Sequence, residues 1–422
     1  MGPMTHNQDA VTPSGAQQVP ASWGSLRRWP DIESPELRAW DATDQLLLEH
    51  GLAQVEAKAL TGDRILVLGD RYGALTLGLV EAGLRGVVSV QDSVALLTAL
   101  KANADELGMA GFSAFSSFDE VPRPAGGGFG LVLWQLPRSV AEVEYWAVAL
   151  RGLVADGATV WAGGRDKHMT PAMNKPLERW LGPVQPQRGR KKSRVLKVSA
   201  GAGSLVSDAG PIDSDAASRV LYPEPRTVLV AGNRVTLHGD ARVFGQNRLD
   251  PGTAFMLEMI AEHDIDPEPG QRVVDLGCGN GTVAVWAARR WPDVRVDATD
   301  DSTAAVAATA ASARASGVAE QVRAVMADAG EHLIPPLGEQ PSHAEVSPRL
   351  VLVNPPFHQG AVVERAVGEK LLFAAREIAG RGGRVIAVWN SHLRYRAFLR
   401  QNIGQTRQLG RDATFTVTET KV

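Results

Sequence analysis

The residues best suited to chemistry in this chain are Asn354-Pro355-Pro356-Phe357. The apolar run Leu350 to Val353 before them reads as a short buried strand, which the prolines must end because proline donates no ladder hydrogen bond. The asparagine is thereby placed at a strand's C-terminal tip, and in an open α/β sheet such tips border the ligand crevice. Asn354 Oδ1 and the Pro355 carbonyl can each accept one N–H of an exocyclic amino group, while Phe357 offers a face for stacking a flat nitrogen heterocycle. The lone pair of such a nitrogen is delocalised into its ring. Two acceptors that turn the N–H bonds favour a more pyramidal nitrogen, free for in-line attack on an electrophile. The bland alternative for the four residues alone is a strand-ending turn.

A second constellation lies upstream. Val273-Val-Asp-Leu-Gly-Cys-Gly-Asn-Gly281 reads as a strand, a glycine turn and the start of a helix. Gly277, Gly279 and Gly281 let the backbone pass close to a ligand, and the helix start adds unpaired N–H groups. A bare glycine pattern could cradle a dinucleotide pyrophosphate. Asp275 would repel one, but it suits the ammonium of an amino-acid moiety, which S-adenosylmethionine carries without a phosphate. About 20 residues further on, where a ribose-binding acid is expected, stand Asp300 and Asp301; Asp300 is the better hydroxyl partner, and Asp301 could cap the next helix. Asp328, at the end of a later strand, could accept from an adenine amino group or be a solvated strand-end acid. Cys278 reads as a small buried filler.

These sites need elements to hold them. A chain of 422 residues exceeds a typical single core, so two domains are expected. The net charge of −3 carries no global nucleic-acid signature, and a lone cysteine excludes an intrachain disulfide and a Cys-based metal cluster, which fits a cytoplasmic home. Residues 1–24 read as a disordered tail without a signal peptide's apolar core, and no apolar run approaches a membrane span. Strands alternate with helices twice, once over residues 25–199 and once over 227–422, with a Gly/Ser/Asp/Pro-rich linker at 200–226. The halves are copies: Arg64 to Gly73 aligns without a gap on Arg272 to Gly281, the same spacing carries Asp92 onto Asp300, and Gln135-Leu136-Pro137-Arg138 falls on Asn354-Pro355-Pro356-Phe357. The first copy has Val67, Arg71 and Arg138 where the second has Asp275, Gly279 and Phe357, so it reads as the fold without its cofactor site. Two basic stretches stand out: Arg188 to Lys197 holds six basic residues, and Arg381 to Arg411 holds seven arginines, neither with an acid. Each reads as a solvated face or as a contact to nucleic-acid phosphate.

Taken together, Asp275-x-Gly277-x-Gly279-x-Gly281, Asp300 and Asn354-Pro355-Pro356-Phe357-His358 resemble the class I S-adenosylmethionine-dependent methyltransferases. More narrowly, they resemble the bacterial rRNA guanine-N2 methyltransferases of the RsmC type, and the segments Phe244 to Gly252 and Asn390 to Tyr395 fit as well, although Gly245-Gln246 and Arg248 depart from that family's usual pattern. The resemblance implies two tandem Rossmann-like α/β domains, the first degenerate and the second catalytic. It implies transfer of a methyl group from S-adenosylmethionine to N2 of a guanine in ribosomal RNA, in the small subunit (16S) first and the large subunit second, on free RNA or a ribosomal subunit, without metal. Asn354, Pro355, Pro356 and Phe357 would be catalytic, Asp275, Gly277, Gly279, Gly281, Asp300 and Asp328 would bind cofactor, and His358, Asn390, Arg394 and Tyr395 would face the substrate, His358 packing or relaying a proton. The rivals are methylation of DNA adenine or protein glutamine and, outside enzymes, an RNA-binding ribosome assembly factor.

Overall fold

The computed structural model describes residues 19–125, 127–200, 206–207, 210–211, 214–334, 349–355 and 362–422. The first half comprises α1 (Ala42–Lys58), β1 (Ile65–Leu68), α2 (Ala74–Glu81), β2 (Val87–Val90), α3 (Val94–Glu106), β3 (Phe112–Phe115), β4 (Phe129–Gln135), α4 (Val140–Arg151), β5 (Val154–Arg165), α5 (Asn174–Trp180), β6 (Val184–Pro186) and β7 (Ser193–Ser199). Its sheet has seven strands in the order β3-β2-β1-β4-β5-β7-β6, parallel except where β7 pairs with β5 and β6. The two-residue strands β8 (Val206–Ser207) and β9 (Gly210–Pro211), helix α6 (Ser214–Leu221) and a hairpin of β10 (Arg226–Val230) and β11 (Asn233–Leu237) lead into the second half.

There α7 (Pro251–Glu262), β12 (Val273–Leu276), α8 (Thr282–Arg290), β13 (Val296–Asp300), α9 (Thr303–Ala315), β14 (Val322–Met326), β15 (Leu350–Val353), α10 (Val362–Ala379), β16 (Arg384–Asn390), α11 (Tyr395–Asn402), β17 (Gln405–Arg411) and β18 (Phe415–Lys421) build the sheet β14-β13-β12-β15-β16-β18-β17. The two sheets match strand for strand. The central strands are buried on both faces, which is why Ile65 to Leu68, Val273 to Leu276 and Leu350 to Val353 read as short, nearly continuous apolar runs.

Three features differ from the sequence reading. Residues 19–24, read as the end of a tail, belong to the fold: Trp23 is 1% exposed, and its indole N–H donates to the Ala74 carbonyl at 2.8 Å. The stretch read as linker contains α6, whose Ala216, Val220 and Leu221 pack against the first domain's core. The alignment of Asp92 on Asp300 is also off by one residue. Leu66 pairs with Val88, but its counterpart Val274 pairs with Asp297 and not Val296, because α8 is one residue longer than α2. Gln91 therefore stands opposite Asp300, and Asp92 opposite Asp301.

That shift explains how the halves join. The Asp92 carboxylate accepts the Ala304 N–H at 3.0 Å and the Ser302 hydroxyl, and its carbonyl accepts the Thr303 N–H at 3.1 Å, all at the start of α9. Asp301 does the reverse at the start of α3, accepting the Ala95 N–H at 2.8 Å, the Ser93 hydroxyl at 2.5 Å and, through its carbonyl, the Val94 N–H at 2.9 Å. A helix start leaves its first N–H groups unpaired, and here each domain supplies the carboxylate that the other's helix needs. Asp301 is thus a cap, as its position implied, but for the neighbouring domain's helix; α9 uses Ser302 as its own N-cap. Because a lost cap costs about 0.5–2 kcal/mol, Asp92→Ala is expected to lower the unfolding free energy by an amount in that range, read as a shift of the denaturant midpoint at unchanged slope. An unchanged midpoint would mean that the caps do not hold the domains together.

Candidate active site

The C-terminal tips of β12, β13, β14 and β15 open on a cavity of about 460 Å³ lined by Leu276, Gly277, Gly279, Thr299, Asp300, Asp301, Ala327 to Gly330 and Asn354. The first domain adds Asp31, Ser93, Ala95 and Leu96 to its wall, and Phe244, Val367, Lys370 and Leu371 complete it. This volume falls in the ordinary range of about 300–1,000 Å³ for small-molecule sites.

Asn354 sits where the strand tip was expected. Its Nδ2 donates to Asp250 Oδ2 at 3.0 Å and to Thr253 Oγ1 at 2.9 Å. A carboxylate only accepts, so the amide has one orientation, and Oδ1 is the atom left for a ligand. Asp250 also caps α7 by accepting the Thr253 N–H at 2.7 Å, with Pro251 in the first helical turn. Pro355 is buried at the strand end. Pro356, Phe357 and His358 lie outside the described residues.

The glycine turn has room for a ligand. A Cβ on Gly277 would meet no atom within 4 Å, and one on Gly279 would meet only the Phe244 carbonyl, at 3.7 Å. Both glycines adopt positive φ, 81° and 52°. Gly281 serves packing instead: its Cβ would fall 2.9 Å from Thr309 Cα, so the residue lets α8 and α9 meet, and it does not line the cavity. Asp300 does line it, accepting the Gly279 N–H at 2.9 Å and the Ser302 N–H at 3.0 Å. Asp275 does not reach the wall; it lies beneath the turn, 2% exposed, with Oδ2 on the Ala284 N–H at 2.9 Å. The direct contact expected for it gives way to support of the turn and helix, because its β12 side chain points into the layer under α8. Asp328 is on the wall but engaged by Lys370 Nζ at 2.6 Å and 2.7 Å, and the same ammonium donates to the Pro30 carbonyl of the first domain at 3.1 Å.

The remaining expected residues are elsewhere. Tyr395 is 2% exposed, with its ring edge-on to Trp389 and Phe398. As the first residue of α11 it turns into the core beneath that helix, so it packs and is not a base contact. Asn390 ends β16, and Arg394, at φ 54°, lines a separate pocket. Sequence reasoning missed Lys370, Phe244 and the first-domain wall. Only Phe244 carried a signal, lying in a segment already matched to the family, and its loop is tied to the glycine turn by Asn280 Nδ2, which donates to the Gln246 and Arg248 carbonyls at 2.9 Å and 2.8 Å.

Room above Gly277 and Gly279, a ribose-height acid and an acceptor amide in one cavity fit S-adenosylmethionine, and with this sheet order they define a class I S-adenosylmethionine-dependent methyltransferase. Comparison with known proteins agrees. The family model for the RLMG N-terminal domain matches residues 17–202, and that for the methyltransferase small domain matches 234–419. The ribosomal RNA large subunit methyltransferase G of Pseudomonas entomophila is 34% identical over 398 residues, covering 93% of this chain and 96% of that one. The protein of the same name from Streptomyces coelicolor is 32% identical over 400 residues, covering 94% and 97%. The chain belongs to the ribosomal RNA large subunit methyltransferase G family. Among solved structures, the T. thermophilus 16S rRNA N2 methyltransferase RsmC, in complex with AdoMet and guanosine, superposes with a TM-score of 0.69 at 22% identity, covering 92% of this chain and 96% of that one. This likeness establishes the tandem fold.

Burial pushes the Asp275 carboxyl up to about 7, with the Asp300 charge adding to it, and burial pushes Asp300 up to about 6, with Asp301 and Asp92 adding to it. Both lie above the ordinary value of about 3.9. Between roughly pH 4 and these values the folded chain therefore holds protons that the unfolded chain has lost, and unliganded stability falls as pH rises through that window. The cofactor's sulfonium and ammonium favour the ionised carboxylates. S-adenosylmethionine binding at pH 6 is thus expected to release protons, measured by calorimetry in buffers of different ionisation enthalpy, and to weaken as pH falls further. Binding without proton release would contradict this electrostatic account.

Proposed function

We propose that this chain transfers a methyl group from S-adenosylmethionine to the exocyclic N2 of a guanine in large-subunit ribosomal RNA. The observation that carries the reading is the fixed orientation of Asn354: Asp250 and Thr253 hold its Nδ2, which leaves Oδ1 to accept an amino N–H beside the cofactor cavity. The Pro355 carbonyl is the second acceptor. Bound S-adenosylmethionine supplies an electrophilic methyl group on a sulfonium. Oδ1 and the Pro355 carbonyl draw the N2 hydrogens out of the base plane, so the lone pair points at the methyl carbon. Attack by N2 on that methyl would break its bond to sulfur, the neutral thioether S-adenosylhomocysteine would leave, and the proton then lost from N2 would pass to water. Asn354, an amide, accepts a hydrogen bond but takes no proton.

The cofactor roles follow the same geometry. Gly277 and Gly279 give the backbone close approach, Asp300 takes the ribose hydroxyls, and Asp328 with Lys370 borders the adenine end. Asp275 stiffens the turn from below and adds negative charge near the ammonium. Large-subunit RNA is preferred over the small-subunit target that the sequence pattern put first. The Pseudomonas entomophila and Streptomyces coelicolor relatives, 34% and 32% identical across both domains, carry the large-subunit name, whereas the small-subunit enzyme is 22% identical. An RNA substrate also suits the pocket of about 520 Å³ at the tips of β16 and β17, lined by Arg394, Arg396, Arg400 and Arg411. Among the described residues none of the four is paired with an acid.

The test is steady-state methyl transfer to rRNA from cells lacking the protein, with N2-methylguanosine as the readout. Asn354→Ala is expected to lower kcat by about 10²–10³, the usual cost of one preorganised hydrogen-bonding group, with cofactor affinity little changed. Asp250→Ala should give a smaller loss, because it removes the anchor and leaves the acceptor. Full activity of Asn354→Ala would refute the assignment.

A further inference from the structure

We propose that the C-terminal edge of the first sheet, the counterpart of the catalytic edge, binds phosphates of the RNA substrate through Arg71, Arg138, Arg165, Lys167 and Lys192. The inference rests on the rRNA reading above and adds a second contact surface to it.

The first domain keeps the frame of the catalytic site. Gln135 ends β4 as Asn354 follows β15, and its Nε2 donates to Asp44 Oδ1 near the start of α1, as the Asn354 amide donates to Asp250 and Thr253 at the start of α7. Asp70 accepts the Leu75 and Thr76 N–H groups at 2.8 Å each, doing for α2 what Asp275 does for α8 from a different position. What has changed is the space above the frame. Arg71 takes the place of Gly279 and adopts the same φ of 52°, a backbone conformation that side chains other than glycine rarely adopt. Gln91 takes the place of Asp300, and its Nε2 donates to the Arg71 carbonyl at 3.2 Å. The cofactor's glycine and acid have become a cation and a neutral amide.

The sheet then gathers more positive charge at this edge. β1, β4 and β5 are adjacent and parallel, so Arg71, Arg138 and Arg165 with Lys167 all follow strand ends on the same side. The turn before β7 folds onto that side too: Arg165 lies opposite Ser193, and the Asp166 N–H donates to the Lys192 carbonyl at 3.0 Å. Lys192 and its neighbour Lys191 adopt positive φ, 61° and 50°, at the tip of the basic run noted in the sequence. Arg71, Arg138, Lys167 and Lys192 are exposed, and Arg165 Nε is buried with no hydrogen-bond partner among the described residues. Among the described residues three acids temper the cluster: Asp41 lies 3.6 Å from Arg165, Asp166 lies 3.6 Å from Arg194, and the buried Asp44 feels the Arg71 charge. The excess is nonetheless positive. His168 registers it: after burial, the charges of Arg138, Lys167, Arg71 and Arg165 hold its imidazole below the ordinary value. The Asp92 and Asp301 caps bring the tips of β2 and β13 together, so this edge and the catalytic edge border the same interdomain junction. An RNA strand leaving the Asn354 pocket toward the first domain meets cations there.

The test compares full-length wild type with the triple variant Arg71→Gln, Arg138→Gln, Lys167→Gln for binding to large-subunit rRNA by fluorescence anisotropy across salt concentrations. S-adenosylmethionine affinity and thermal midpoint serve as folding controls. Each lost phosphate contact removes about 0.7 from the slope of log affinity against log salt for single strands. The variant is expected to lose about 2 in slope and roughly tenfold or more in affinity at physiological salt, with both controls unchanged. An unaltered slope and affinity, while wild type binds RNA in a salt-dependent way, would overturn the phosphate surface and leave the proposed reaction intact. Wild type that binds no RNA would overturn the rRNA reading and this surface with it.

Discussion

The exchange of carboxylates between Asp92 and Asp301 is the constraint on which the rest of the architecture depends. A helix start presents unpaired N–H groups that must find acceptors, and α3 and α9 find theirs across the domain boundary. Neither helix start is complete within its own domain. The caps set the two sheets tip to tip, and the first domain's Ser93, Ala95, Leu96 and Asp31 become part of the wall of the cavity at the second sheet's tips. The ammonium of Lys370, shared between Asp328 and the Pro30 carbonyl, closes the same junction at a second point. The first domain is thereby built into the wall of the second domain's cavity.

The two copies separate what holds a methyltransferase fold together from what makes it work. Sheet order, an amide clamped at the start of the first helix and a buried carboxylate under the glycine-turn helix are kept in both, even where the carboxylate has moved from the strand (Asp275) to the loop (Asp70). The differences lie in the space above the strand tips, where Gly279 and Asp300 face Arg71 and Gln91. Frame residues are buried, and their loss leaves unpaired groups that cost stability. Residues above the strand tips lie outside that frame, so they can differ between the copies without loss of the fold.

Much of this was legible in the sequence because it is local. Apolar tetrapeptides bounded by glycine or proline marked the central strands, the Arg64 and Arg272 segments marked the duplication, and the prolines after Val353 marked Asn354 as a strand-tip residue. The features that were not legible are tertiary. A single additional residue in α8 moved Asp300 from alignment with Asp92 to alignment with Gln91, and no local pattern marks such a slip. Tyr395 looked available for a base because aromatic residues near a site are ambiguous until the face of the helix is known. Asp275 sits where the motif puts it, but its side chain supports the turn from beneath. Trp23 and α6 lie in polar, proline-containing stretches whose order comes from the cores that they cover. Contacts across the junction join residues more than 200 positions apart, and Lys370 and Pro30 are 340 apart.

The most direct measurement is mass spectrometry of nucleosides from separated large- and small-subunit rRNA of cells with and without this protein. The account predicts one N2-methylguanosine missing from large-subunit rRNA in the deleted strain, restored by the wild-type chain and not by Asn354→Ala. An unchanged N2-methylguanosine content in large-subunit rRNA, or a loss confined to the small subunit, would contradict it.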